Sequence, residues 1–172
     1  MKPIALSLLL LGACNSVASE ALVPEELHVA RTQPGSVLVH AEGSSGGFVG
    51  PARISSGNLR QALEQCIEAG EVFESLVHAP PSDWRLQVAV AEVREPDASL
   101  EMEVVTTLLW RLVAEDGRLV GQRQIATDFT ATPDHESQVE KRGRYALEES
   151  MRRNLSEGMR WLGNLDLPVP TP

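Results

Sequence analysis

Residues 100–130 read LEMEVVTTLLWRLVAEDGRLVGQRQIATDFT, and this stretch decides the fold. Apolar and small polar residues alternate through its first half, which predicts a strand over 100–114 with one buried face. The residues on that face are Leu100, Met102, Val104, Thr106, Leu108, Trp110 and Leu112. Asp116-Gly117 follows at once and predicts a tight hairpin. A partner strand is expected over 119–130, with Leu119, Ile125 and Phe129 on one face.

Regular elements are also predicted on both sides of this hairpin. They are strands over 36–42 and 84–95, a short strand or entry segment over 72–77, a helix from Ser55 or Ser56 to about Ala69, and a helix of about 30 residues beyond Pro133. One face of the 84–95 strand carries Trp84, Leu86, Val88 and Val90. This order predicts an α+β two-layer sandwich, an antiparallel meander of four to five strands with two helices on one face.

Composition and charge restrict the class of protein. The chain has 172 residues, which favours one domain. Acidic residues outnumber basic ones 24 to 15, for a formal charge of -9, and only Lys2 and Lys141 are lysines. Nucleic-acid binding requires a concentrated basic surface, so no nucleic-acid partner is predicted.

The first residues have the pattern of a secretion signal. Lys2 precedes an apolar run, Ile4 to Leu11, which is too short to span a bilayer. Leu11-Gly12-Ala13-Cys14 ends the run and resembles a bacterial lipoprotein signal. The resemblance implies removal of residues 1–13 and acylation of Cys14, which would be the membrane anchor. Asn15, rather than Asp, follows Cys14 and favours the outer membrane, on its periplasmic side.

The mature chain is predicted to have three parts. Residues 14–34 carry the lipid and include a tether over 15–26, residues 35–166 form one periplasmic domain, and residues 167–172 form a Pro-rich tail. Cys66, the other cysteine, falls on an apolar helical stripe with Leu59, Leu63 and Ile67, which indicates a buried thiol.

Two short patterns invite a catalytic or metal-binding interpretation, and neither is adopted. Ser45, within Gly43-Ser-Ser-Gly-Gly47, has the spacing of a nucleophile elbow, but no helix follows it directly. Asp134-His135-Glu136 lacks the spacing that places metal ligands on one helical face. Its acidic residues instead fit the first turn of the last helix, where they complement the dipole. No catalytic, cofactor-binding or metal-binding residue is predicted.

The domain resembles a group of small Gram-negative outer-membrane lipoproteins of uncharacterised function. The shared motifs lie between residues 36 and 167. They are Gly46-Gly47, Leu59-x-x-Ala62-Leu63, Trp110-x-Leu112 with Asp116-Gly117, Thr130-Ala-Thr132, Arg142-x-Arg144-x-Ala146-x-Glu148 and Asn154-Leu155. The layout is similar to lipoproteins that assist curli, lipopolysaccharide-export or peptidoglycan-synthesis machinery, which is an analogy of fold alone.

Three residues of the last helix are candidates for contact with a partner. Trp161 lies off the main apolar stripe beside Arg160, and could meet a protein or the membrane interface. Arg144 and Glu148 are one helical turn apart and would otherwise be a surface ion pair.

These features predict a non-enzymatic interaction or assembly factor of the cell envelope, anchored through Cys14, with an envelope protein as partner. The alternative is a binding or carrier domain for a lipid or glycan. That alternative requires an apolar cavity between the 100–112 face and the 139–162 helix.

Overall fold

The computed structural model describes residues 16–44, 53–94 and 100–170. The predicted signal peptide, Cys14 and Ser45 lie outside the described residues. The strands are β1 (Gln33–Glu42), β2 (Phe73–Val77), β3 (Trp84–Arg94), β4 (Met102–Ala114) and β5 (Leu119–Ala131). The helices are α1 (Ser56–Ala69) and α2 (Val139–Gly163), and a short 3₁₀ helix spans Glu20–Leu22. The α+β class predicted from the sequence is confirmed.

The sheet is mixed, with strand order β2-β1-β3-β4-β5, so the predicted purely antiparallel meander is wrong. Strand β1 pairs in parallel with β2 on one side and with β3 on the other, where Val37 lies opposite Leu76 and Trp84 respectively. The β3–β4 and β4–β5 pairs are antiparallel. Helix α1 is the crossover that makes β2 run in the same direction as β1. Alternating hydrophobicity places side chains on faces but does not fix the direction of the neighbouring strand.

Both helices pack on the same face of the sheet, as predicted. Helix α1 lies against β1 and β2, and α2 lies against β4 and β5. The face that they cover includes the fully buried residues Val37, Leu86, Val104, Leu108, Trp110 and Leu112. We call this face the helix-covered face and the other the uncovered face.

The two ends of the predicted alternation depart from this arrangement. Leu100 and Leu119 are both predicted to lie on the apolar face of a strand, but both are exposed. Leu100 precedes β4 and is 76% exposed, and Leu119 is 52% exposed. A register shift at Leu112 and Val113 places Leu119 opposite Val113 and therefore on the uncovered face. Leu119 thus does not share a face with Ile125.

The ends of the helices follow local hydrogen bonding. Ser55 caps α1, its hydroxyl accepting from the Asn58 amide at 3.1 Å. Helix α2 has 25 residues and begins at Val139, later than predicted. Asp134, His135 and Glu136 therefore precede the helix instead of forming its first turn. The amides of His135 and Glu136 donate to the carbonyl of Thr132, which makes this segment a separate turn.

The part of the predicted tether that the structure describes packs against the domain. Val17 and Leu22 are completely buried, and Arg152 of α2 donates to the carbonyl of Ala21 at 2.9 Å. The short run of apolar residues between polar ones has no sustained period, which explains why sequence patterning suggests a free linker. The C-terminal tail also returns to the domain, where Pro170 lies against Gly35 at the start of β1.

Candidate interaction surfaces

A row of polar side chains crosses the middle of the uncovered face. Strand pairing places His40 beside Gln87, Gln87 beside Arg111, and Arg111 beside Gln122. Arg111 Nε donates to Gln122 Oε1 at 2.9 Å. The row therefore presents hydrogen-bond donors and acceptors across four neighbouring strands, with a cation near its centre.

A shallow hollow of about 200 Å³ lies along this row. Its lining residues include His40, Glu42, Gln87, Ala89, Leu109 and Arg111. Ala89 and Leu109 are half-buried, so the hollow has an apolar floor between groups of both charges. Such a surface suits a few side chains of another protein better than a large apolar ligand.

Arg144 and Glu148, which are predicted to contact a partner, form an ion pair with each other on α2, which is the alternative that the sequence left open. Arg144 Nε lies 2.8 Å from Glu148 Oε1, with side chains 47% and 14% exposed. Neighbouring Tyr145 has a raised pKa because of desolvation and then because of the negative charge of Glu149. Arg144 and Glu148 therefore neutralise each other within the helix, and the Arg144 guanidinium keeps further N–H donors for another molecule.

Trp161 lies near the other end of α2 and is half-buried against the edge of the sheet. A Cβ at Gly121 of β5 would come within 3.1 Å of Trp161 Cζ2, so the glycine allows the indole to lie on the strand. Arg144 and Trp161 are separated by about 25 Å along the helix, at about 1.5 Å per residue. The structure therefore does not bring the predicted contact residues into one site.

An aromatic cluster near the end of β5 was missed by the sequence reasoning. Phe129 makes edge contacts with His135 and Tyr145 at centroid distances of 5.5 and 5.8 Å. The Arg153 guanidinium lies over the Phe129 ring at 4.9 Å. His135 Nδ1 is held by Thr132, whose hydroxyl lies 2.9 Å away. Within the described ranges, no group of three or more His, Cys, Asp and Glu side chains could hold a metal ion.

A second feature that the sequence did not reveal is a buried polar network between α2 and the sheet. The Thr106 hydroxyl lies 2.8 Å from that of Ser150 and 3.2 Å from that of Thr127. Asn154 accepts from Trp110 Nε1 at 3.2 Å and donates to the Ile125 carbonyl at 2.9 Å. The four-residue spacing of Ser150 and Asn154 was the available signal, because it places both on the stripe that faces the sheet.

Arg142 is 2% exposed and joins the two loops at the start of β4 and α2. Its guanidinium donates to the carbonyls of Leu100, Glu136 and Ser137 at 2.7 to 3.0 Å. These contacts orient backbone segments, so Arg142 has a positioning role.

Cys66 is a free, buried cysteine on α1, as predicted. Burial raises the pKa of its thiol to about 12. The thiolate that would act as nucleophile or metal ligand is therefore strongly disfavoured.

Comparison with known proteins gives similarity of fold. No family model matches the sequence, and no curated relative matches it. A DUF330-family protein from Xanthomonas campestris has a TM-score of 0.58 and 14% identity, covering 81% of this chain and 88% of that chain. A hypothetical protein from Chlamydia trachomatis has a TM-score of 0.55 and 9% identity, covering 77% of this chain and 98% of the other.

A minor lipoprotein from Acinetobacter baumannii is also similar, with a TM-score of 0.53 and 12% identity over 83% of this chain and all of the other. The fold is thus shared with proteins of Gram-negative bacteria, one of them a lipoprotein by name. No helix of the described part of the chain is long and apolar enough to cross a membrane.

Proposed function

We propose that this protein is a lipid-anchored lipoprotein on the periplasmic side of the outer membrane, where it acts as a non-enzymatic interaction or assembly factor of the cell envelope. Two features support the anchor. The sequence around Cys14 resembles a lipoprotein signal, and a protein of similar fold is named a lipoprotein. Acylation of Cys14 would join the domain to the membrane without a spanning helix.

The proposed interaction role is supported mainly by the exposure of the uncovered face. Strand β1 is parallel to both of its neighbours, and parallel strands are normally covered on both faces. Here one face is covered by the helices, while the other presents Leu38 and Leu109 half-exposed among polar side chains. We infer that an envelope protein covers this face in the cell, with His40, Gln87 and Arg111 providing the directional contacts.

The geometry of the candidate catalytic residues supports a non-enzymatic role. Asp134 and His135 lie in a surface turn, and His135 Nδ1 is engaged by Thr132 rather than by a carboxylate. Cys66 is buried as a thiol. Within the described chain, His135 thus lacks the carboxylate that orients the base of a catalytic triad, and the Cys66 thiol is not in the thiolate form that covalent catalysis uses.

The packing between β4 and α2 argues against the lipid or glycan carrier considered above. Trp110 is fully buried, and its ring lies so close to Gly158 that a Cβ there would be 2.1 Å from Trp110 Cζ2. Asn154 and Ser150 fill the next turns with hydrogen bonds to the sheet. The space that a carrier needs at this position is occupied by side chains.

Site-specific photocrosslinking in intact cells tests the proposal. A benzophenone amino acid at position 87 is expected to give a discrete protein adduct, because Gln87 lies at the centre of the uncovered face. The matched control is position 68, where Glu68 is exposed on α1 and on the other side of the sheet. Equal adduct patterns at the two positions would contradict the assigned interaction face.

The anchor is tested in the same cells. Radiolabelled palmitate should enter the wild type and not Cys14→Ser, and the adduct at position 87 should weaken when the anchor is lost. Equal palmitate labelling of the two chains would overturn the anchor. Arg144→Ala, Glu148→Ala and Trp161→Ala, each with the crosslinker at position 87, show whether the predicted contacts on α2 contribute to the same complex.

A further inference from the structure

The first described residues are fixed to the domain rather than hanging from it. Ser16 forms a parallel bridge with Arg53, and the Val17 amide donates to the Arg53 carbonyl at 2.9 Å. Asn58 of α1 donates to the Val17 carbonyl at 2.6 Å and to the Ser16 hydroxyl at 3.3 Å. Val17 is completely buried, so this attachment is part of the core.

Only Asn15 separates Ser16 from Cys14. Two steps of about 3.8 Å between α-carbons allow at most ~7.6 Å between Cys14 and Ser16. If Cys14 carries the lipid, as proposed above, its backbone lies at the level of the lipid headgroups. Ser16 and the segment bridged to it must then lie at, or directly above, the same level.

Arg53 is the cation at this position. Its residue is exposed, and its guanidinium has no hydrogen bond or ion pair within the part of the chain that the structure describes. In an acidic protein an exposed guanidinium beside the attachment point is well placed for a phosphodiester, which it can bind through two parallel hydrogen bonds.

The first turn of α1 is open next to Arg53. A Cβ built at Gly57 meets no atom within 4 Å, so the described chain leaves this position of the turn uncovered. Asn58, one residue further on, contacts Ser16 directly. The attachment point, the cation and the open turn therefore belong to one end of the molecule.

We propose that this end, formed by Ser16, Arg53 and the first turn of α1, rests on the phospholipid surface, with Arg53 binding lipid phosphate. This inference rests on the proposed anchor at Cys14. It adds that the domain is held against the bilayer instead of extending from it on a tether. A partner must therefore contact the domain close to the membrane, at a distance from the bilayer no greater than the thickness of the domain.

The opposite end provides matched controls. Pairing of Val37 with Trp84, and of Trp84 with Ala114, places the β4–β5 hairpin beside the start of β1. Ser16 lies near residues that follow the end of β1, because the Ser44 amide donates to the Ile54 carbonyl. A strand of this length separates the two ends by about 30 Å. Leu119 and Arg118 are exposed at the far end.

Photocrosslinking of the lipidated full chain in vesicles tests the inference. The protein is reconstituted in phosphatidylethanolamine with phosphatidylglycerol, carrying a benzophenone amino acid at position 57 or at position 119. We expect mass spectrometry to detect a phospholipid adduct when the crosslinker is at position 57 and none when it is at position 119. A linker of ten Gly and Ser residues between Asn15 and Ser16, with a root-mean-square length of about 17 Å, should remove most of the adduct at position 57.

The role of Arg53 is tested in the same vesicles. Arg53→Glu should lower the adduct at position 57 by about fivefold, since a basic residue near an anionic surface contributes a factor of that order. Arg53→Lys should preserve most of it, and Arg118→Glu should have no effect. Equal adducts for Arg53→Glu and Arg118→Glu would overturn the contact with phosphate.

Palmitate content is measured in every sample, which separates the two hypotheses. Chains without palmitate would overturn the proposed anchor together with this inference. Acylated chains with equal adducts at positions 57 and 119, with none at position 57, or with adducts that persist through the linker would overturn the resting geometry alone.

Discussion

The polar side chains at the two faces of the sheet differ in burial and in their hydrogen-bond partners. At the helix-covered face, Thr106 of β4 and Ser150 and Asn154 of α2 are buried and bonded to one another or to backbone carbonyls. On the uncovered face, His40 and Arg111 are exposed, and the hydrogen bond of Arg111 to Gln122 is its one side-chain bond within the described residues. Polar groups therefore hold a helix on one side of the sheet and remain available to another molecule on the other side.

The difference lies in what each hydrogen bond replaces. A buried amide that loses its hydrogen-bond partner cannot bond to water instead, because water does not reach it. Its hydrogen bond therefore determines how α2 packs on the sheet. An exposed guanidinium exchanges its partner for water at little cost. Substitutions on the helix-covered face should therefore change stability, whereas those on the uncovered face should change binding and leave stability nearly unchanged.

The largest expected effect on this comparison is that of Gly158→Ala. Its Cβ would lie 2.1 to 2.5 Å from three atoms of the Trp110 ring, which is fixed by Asn154. We expect a loss of ~3 kcal/mol in the free energy of unfolding, measured by urea denaturation. Gly57→Ala is the control, because its Cβ meets no atom and should be neutral or slightly stabilising. Equal effects of the two changes would refute this account of the packing.

Asn154→Ala should have the next largest effect. It removes the acceptor of Trp110 Nε1 and the donor to the Ile125 carbonyl, and leaves both buried. A loss of about 2 kcal/mol is expected by the same measurement. Asn164→Ala removes a bond of an exposed amide to the Arg160 carbonyl and should cost less than ~0.5 kcal/mol. If the two variants were equally stable, the buried network would not hold α2.

The burial of the Cys66 thiol, on the helix-covered side of the sheet, can be tested through the pH dependence of the free energy of unfolding. Its pKa is about 12 in the folded protein, above the value of 9.0 for a free thiol. Stability from the protonated thiol is complete below the unfolded pKa and declines as the pH rises toward 12. The decline should be at most ~1.4 kcal/mol per pH unit. Cys66→Ala should remove that slope, and an unchanged slope between pH 8 and pH 10.5 would contradict the assignment.

The smallest expected effect is that of Arg111→Ala on the uncovered face. Its hydrogen bond with Gln122 is exposed, so the free energy of unfolding should change by less than ~0.5 kcal/mol. The protein adduct formed at position 87 in cells should nevertheless decrease. A large loss of stability, or an unchanged adduct, would show that the uncovered face has a structural role instead of a binding role.

Much of the fold could be predicted from local patterns. The alternation in β4 identified Val104, Leu108 and Trp110 as one buried face, and Ser55 marked the start of α1. The parallel pairing of β1 could not be predicted, because it depends on where the α1 crossover returns the chain. The candidate interaction surfaces were even harder to predict from the sequence than the fold. Trp161 and the Arg144–Glu148 pair were correctly placed on α2, but His40, Gln87 and Arg111 become neighbours only through pairing of three strands.

The sequence by itself determined the elements, the apolar face of each, and the lipoprotein-like signal that leads to the predicted anchor at Cys14. These properties depend on neighbours within a few residues, where period and turn chemistry act. Only the tertiary structure decided the direction of β1, the burial of Val17, and the nearness of Ser16 to Arg53. Each of these joins segments far apart in the chain, and its free energy comes from packing and hydrogen bonds that exist only after the sheet has formed.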